Sequence, residues 1–244
     1  MLIARANPWF CLGLAFLWLA LSAVAPARPD ALPAVSQIVF SSLVLYALLL
    51  SATFVTAATV PPEESGRRVH SARRALQVVS ADVLKPLWGG RILRTLAVGF
   101  AAGLAVVALS LCVSALVGLL SEAMGSEMEL QTVVDLFLRS AWPGRTALIV
   151  SVVLLTPVVE ELFFRYALES VLAGALRSRT KALAYGAVLF AAMHGNLAAF
   201  PSLLVVSAGC SLAYRRAGSL LAPIAAHFFF NLVSVSLLLA GVAG

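Results

Sequence analysis

Three apolar stretches of the chain carry ionisable or amide side chains at helical spacing. The first ends in Thr156-Pro157-Val158-Val159-Glu160-Glu161-Leu162-Phe163-Phe164-Arg165 and the second in Phe190-Ala191-Ala192-Met193-His194. The third reads Ala222-Pro223-Ile224-Ala225-Ala226-His227-Phe228-Phe229-Phe230-Asn231. Residues four apart on a helix share a face, whereas neighbours are turned about 100° from each other. Glu161 and Arg165 are therefore placed to pair, which makes a charge tolerable in hydrocarbon. Glu160 points elsewhere, has no local cation and needs partners from other helices. His227 and Asn231 share one face of the third stretch, and His194 must come from a separate helix. Pro157 removes a backbone hydrogen bond one turn before the acids and can kink the helix there. Gly195, Asn196 and Pro201 mark an end or a bend just after His194.

A carboxylate beside a neutral imidazole can activate a water as general base. A second imidazole with an amide N–H can stabilise a developing oxyanion. Together these meet the needs of peptide-bond hydrolysis without a covalent intermediate. A metal-assisted assembly stays open, with Glu160, His194 and His227 holding one divalent metal such as zinc and leaving a position for water. The chain has no paired-histidine zinc signature on one helix, no Gly-x-Ser-x-Gly and no serine triad. Plainer roles exist for each group. Glu160 could snorkel to the interface, His194 could be a hydrogen-bonded core residue, and His227 with Asn231 could clamp two helices.

The elements that must position these groups follow from composition. The 244 residues are 61% hydrophobic and 11% charged, with a mean hydropathy of +1.00. A soluble domain is nearer half apolar and a quarter charged, so the bilayer is the natural solvent of this chain. The reading is an all-α, polytopic transmembrane helical bundle of about seven to eight spans in one membrane-embedded domain. Candidate spans lie at roughly 9–26, 34–60, 92–120, 146–165, 182–196, 200–214 and 219–242. Residues 1–142 would be accessory helices and 146–242 the catalytic ones. The first span resembles a signal peptide, but Pro26 after Ala23-Val24-Ala25 favours retention. Basic loops alternate with non-basic ones, which puts the N-terminus in the cytoplasm. Residues 67–88 read as a basic amphipathic helix on the inner surface, and 128–142 as a similar helix opposite. The net charge of +6 reports topology and anionic lipid, not nucleic acid. Cys11, Cys112 and Cys210 are isolated in apolar runs and read as small core hydrophobes. Along straight spans His194 would lie about 20 Å and His227 about 12 Å from the inner surface, so gathering the site requires tilted, kinked or re-entrant helices.

As a set, Glu160-Glu161…Arg165, Phe190…His194 and His227…Asn231 resemble the CPBP family (CAAX protease and bacteriocin-processing, also called ABI) of intramembrane endopeptidases. The Gly218-Ser219-Leu220-Leu221-Ala222-Pro223-Ile224 lead-in is similar to the family's approach to its last motif. The resemblance covers about 90 residues and leaves the first 140 or so without a specific match. It implies that Glu160 and His194 activate water and that His227 and Asn231 support the oxyanion. The glutamate mechanism needs no cofactor; the metalloprotease view of the family would add the zinc. The implied partners are membrane lipid and a membrane-associated peptide or protein. A proton-coupled transporter would use similar groups, but the expected paired halves are missing from the sequence. A non-catalytic immunity or scaffolding partner would keep them as a polar clamp.

Overall fold

The computed structural model describes residues 90–126 and 132–243. Among the described residues every regular element is a helix: α1 Ile92–Ala123, α2 Thr132–Arg139, α3 Trp142–Leu176, α4 Arg179–Met193, α5 Phe200–Ala217 and α6 Leu221–Ala243. The expected first two spans, the basic amphipathic helix and the signal-like segment lie outside the described residues. So does the start of the second interfacial helix, of which α2 is the described part.

Three of these helices are long and apolar enough to cross a membrane: α1, α3 and Leu221–Gly241 of α6. Three expected spans differ. The one expected over 200–214 forms α5, Phe200–Ala217, which carries Arg215 and Arg216 in its last turn and is not among the three helices just named. The helix expected over 146–165 continues to Leu176, because the apolar run does not stop at Arg165. The helix expected over 182–196 runs over Arg179–Met193. Its 15 residues reach about 22 Å at the α-helical rise, short of a hydrocarbon core of about 30 Å. It stops because Gly195, at φ +63°, takes the chain out of the helix.

α3 is not a uniform α-helix. Wider π segments, Ser151–Leu155 and Leu162–Leu168, flank the α-helical turn Thr156–Glu161. The sequence anticipates a disturbance at Pro157. The structure absorbs it by widening the helix on either side, a form that recurs at functional sites.

The core is small-residue packing, as expected where lipid is as apolar as leucine. α1 buries Thr95, Gly99, Gly103, Val106 and Ser110, one stripe at three- and four-residue spacing. Its leucines, including Leu104, Leu116 and Leu119, face outward. A Cβ at Gly99 would stand 2.6 Å from the Ala222 carbonyl oxygen and 2.8 Å from Ala225 Cβ of α6. One at Gly103 would stand 3.0 Å from the Ala226 carbonyl oxygen. Two backbones meet there, one residue before His227. Gly99→Val is therefore expected to push α6 away and cost about 1–3 kcal/mol of stability, the usual penalty of overpacking. Gly186, with open space around its Cβ position, is the control. Unfolding of the purified protein in detergent measures both, and equal midpoints for Gly99→Val and Gly186→Ala would show that the contact does not hold α6.

The remaining core joins all the long helices through Val106, Phe164, Phe190, Leu203, Val206 and Ala226. Cys210 is buried among them, as expected, and is a free thiol. Cys112, expected in a core, is exposed and free. It lies on the outward side of α1, two positions from the buried Ser110.

Candidate active site

Glu160 and Glu161 both lie on the α-helical turn between the two π segments and are both buried. Their environments are different. Glu161 Oε2 accepts from Arg165 Nε at 2.7 Å, and both side chains are fully buried. This is the four-residue pair that the helical spacing predicts. Glu161 Oε1 lies 3.0 Å from His227 Nδ1, a contact not anticipated from sequence, which joins α3 to α6. Glu160 turns away from that pair. Its Oε2 is buried without a hydrogen-bond partner. It lies within electrostatic reach of His194 and His227.

Phe190 organises the imidazoles. It is fully buried, and its ring centroid is 4.8 Å from that of His194 and 5.9 Å from that of His227. The Phe164 ring packs edge-on against it at 5.0 Å, and the Arg165 guanidinium lies 5.7 Å from its centre. His194 is the residue at which α4 ends, and its Nδ1 lies 2.8 Å from the Phe190 carbonyl oxygen. A carbonyl only accepts, so Nδ1 of His194 carries the proton and Nε2 keeps its lone pair. The Glu161 carboxylate assigns the same tautomer to His227. α4 is short and ends at the site, and α3 widens around it. Those two departures from straight spans accompany the meeting of His194 and His227 on one phenylalanine.

Asn231 lies one turn beyond His227 on α6. Its Nδ2 donates to the Val152 carbonyl oxygen at 2.8 Å, inside the first π segment of α3. The sequence reading pairs Asn231 with His227 as an oxyanion donor and does not anticipate this bond.

The polar network continues past the expected residues. Arg165 donates to Ser207 Oγ at 3.1 Å and to Ser211 Oγ at 2.8 Å. Ser211 donates to Glu169 Oε2 at 2.8 Å, and Arg215 donates to Glu169 Oε1 at 2.7 Å. Arg215 also donates to the Arg179 carbonyl oxygen, which ties the ends of α4 and α5 together. Glu161, Arg165 and Glu169 recur every fourth residue on α3, as do Ser207, Ser211 and Arg215 on α5. Two facing stripes of period four thus make one ladder, with two carboxylates balanced by two guanidiniums. The repeating interval is the signal that could have revealed Glu169, Ser207, Ser211 and Arg215 in the sequence.

One donor trio among the described residues lies close enough to share a metal. Glu161, Cys210 and His227 place one ligand atom each within 4.8 Å of one another. Both oxygens of Glu161 are already engaged there, one of them by the Arg165 guanidinium at 2.7 Å, so this trio does not suit a dication. Glu160, His194 and His227, the set expected from the sequence, do not form such a close group among the described residues. Glu160 Oε2 is the unpartnered buried atom, and each imidazole has Nδ1 anchored and Nε2 spare.

Residues 142–233 match the family model described as type II CAAX prenyl endopeptidase Rce1-like. No curated protein and no solved structure matches the chain. The matched stretch contains all three motifs, begins with α3 and ends two residues past Asn231. Over residues 142–233 the chain is therefore similar to the Rce1-like type II CAAX prenyl endopeptidases, in line with the resemblance to the CPBP family.

Proposed function

We propose that this protein hydrolyses a peptide bond of a membrane-associated substrate with a water activated by Glu160 and His194. The observation that carries this reading is the buried, unpartnered Glu160 Oε2 beside two imidazoles whose Nδ1 atoms are anchored. An acceptor held dry and without a donor is ready for the proton of a water. Glu160 takes that proton while His194 Nε2 orients the water, and the hydroxide oxygen bonds to the scissile carbonyl carbon. The oxyanion that forms is met by an N–H of Asn231 and by His227 in its doubly protonated form, the form in which Nε2 becomes a donor. Glu161 balances the positive charge on His227 when both its ring nitrogens carry protons, the role that the buried acid plays beside a catalytic histidine. As the C–N bond breaks, the proton on Glu160 passes to the departing amine. The Glu161–Arg165–Ser207–Ser211 ladder keeps this frame rigid.

A divalent metal such as zinc would need Glu160, His194 and His227 to draw closer together than they stand here, and when bound would polarise water and the scissile carbonyl. Metal content assayed on active protein separates the two versions. Arg177, Arg179, Lys181, Arg215 and Arg216 gather where α3 ends, α4 begins and α5 ends. The positive-inside preference assigns that face to the cytoplasm, with anionic lipid around it.

The test uses full-length protein in lipid nanodiscs. A prenylated peptide ending in a CAAX sequence and its unprenylated counterpart are incubated with it, and the products are weighed by mass spectrometry. Cleavage of either that depends on Glu160 is the expected result. Intact peptides across a panel of membrane-associated sequences, with substrate-dependent proton flux in liposomes instead, would replace the protease with a transporter.

A further inference from the structure

Asn231 has two amide hydrogens, and one of them is spent on the Val152 carbonyl oxygen at 2.8 Å. The reason that carbonyl is open to it lies in α3. In the π segment the Thr156 N–H bonds the Ser151 carbonyl oxygen, five residues back. The next donor in that register is residue 157, whose acceptor would be Val152. Residue 157 is proline and has no N–H. The gap in the ladder falls on the carbonyl that Asn231 reaches from α6. A half-buried carbonyl in a helix surrounded by lipid needs a donor, and here a side chain from another helix supplies it.

We propose that Pro157 and Asn231 act as one positioning device: the N–H that proline lacks leaves the Val152 carbonyl to anchor the Asn231 amide, and the anchor fixes the direction of the amide's second N–H. An unanchored asparagine turns freely about its terminal torsion, which is broad. With one N–H held on Val152, the plane of the amide is set and the other N–H has a single direction. The same bond holds α6 against α3 one turn beyond the contact between His227 and Glu161. Pro157 acts only through Val152 and Asn231, so it is a positioning residue, and the consequence for turnover rests on the protease reading above.

A double-mutant cycle tests this. Pro157→Ala restores the backbone N–H, which then competes with Asn231 for Val152. Turnover, KM and the unfolding midpoint in detergent are measured for the parent, Pro157→Ala, Asn231→Ala and the double variant. In the parent, Pro157→Ala is expected to lower kcat about tenfold with KM unchanged; in the Asn231→Ala background the same change should cost less than about twofold. The midpoint lost on Asn231→Ala should likewise be smaller when residue 157 is no longer proline. Asn231→Leu, close in size and without an N–H, replaces Asn231→Ala if that variant folds poorly. Equal effects of Pro157→Ala in both backgrounds, on kcat and on the midpoint, overturn the device. If the parent cleaves no peptide, the protease reading has failed, and the midpoints alone decide the coupling: additive changes reject it and non-additive ones sustain it.

Discussion

Glu160→Gln is expected to lower turnover by about a hundred- to ten-thousand-fold, the range that one general base contributes, without lowering the unfolding midpoint. The two halves of that expectation come from one observation. Glu160 Oε2 makes no hydrogen bond within the protein, so the fold does not lean on it. Exchanging it for an amide of the same shape removes a buried ionisable group and leaves no partner stranded. The amide cannot accept the proton of an attacking water. Glu161→Gln provides the contrast. It keeps an oxygen toward His227 but removes the negative charge beside a fully buried guanidinium, so stability should fall together with turnover. Rates with a cleaved peptide and unfolding midpoints on the same preparations read both. Turnover within a few-fold of the parent for Glu160→Gln would mean that the unpartnered carboxylate is not the base.

Arg165→Met should cost about 3–5 kcal/mol, the loss typical of removing one member of a buried ion pair. Arg165 is the hub of the ladder: it bonds Glu161, Ser207 and Ser211, and lies 3.9 Å from Glu169. Without it Glu161 loses its guanidinium, and two serine hydroxyls lose their shared donor. The cost arises from stranding charge in a water-free interior, more than from losing the pair's own attraction. Replacing both partners, Glu161→Met with Arg165→Met, should therefore recover most of the lost stability. It should not recover turnover, because His227 Nδ1 then has no carboxylate to hold its tautomer. Denaturant unfolding in mixed micelles measures the first effect and peptide cleavage the second. A single variant that loses less than about 1 kcal/mol would place this pair among interactions that add little, as exposed ones do.

The candidate site was legible in the sequence wherever the relevant distances lie within one helix. The pairing of Glu161 with Arg165 follows from a four-residue interval and appears as such. So does the separation of Glu160 from that pair, since neighbours on a helix face different ways. The end of α4 at His194 is readable because glycine follows it, and in the structure Gly195 does adopt a positive φ. Span lengths were less legible. Hydropathy does not separate a helix that crosses the bilayer from one that stops inside it, and α4 was read as crossing. Cys112 went astray for a related reason: in a membrane helix an apolar run has no inside face that composition alone can identify.

What the sequence alone determined is the class of the molecule. It is helical and suited to lipid because so few residues are charged, and three motifs in order resemble those of CAAX-type endopeptidases. Tertiary structure decided which of those groups meet. It gave His227 to the second carboxylate and left the first without a donor. It matched Asn231 to the carbonyl that Pro157 cannot serve, and it aligned Ser207, Ser211 and Arg215 with the acid–base stripe of α3. The physical reason is register. Contacts within a helix are set by a fixed rise and turn, but contacts between helices depend on how closely Gly99 and Gly103 let α6 approach and on how far two π segments rotate α3. Neither quantity is written in any single interval of the chain.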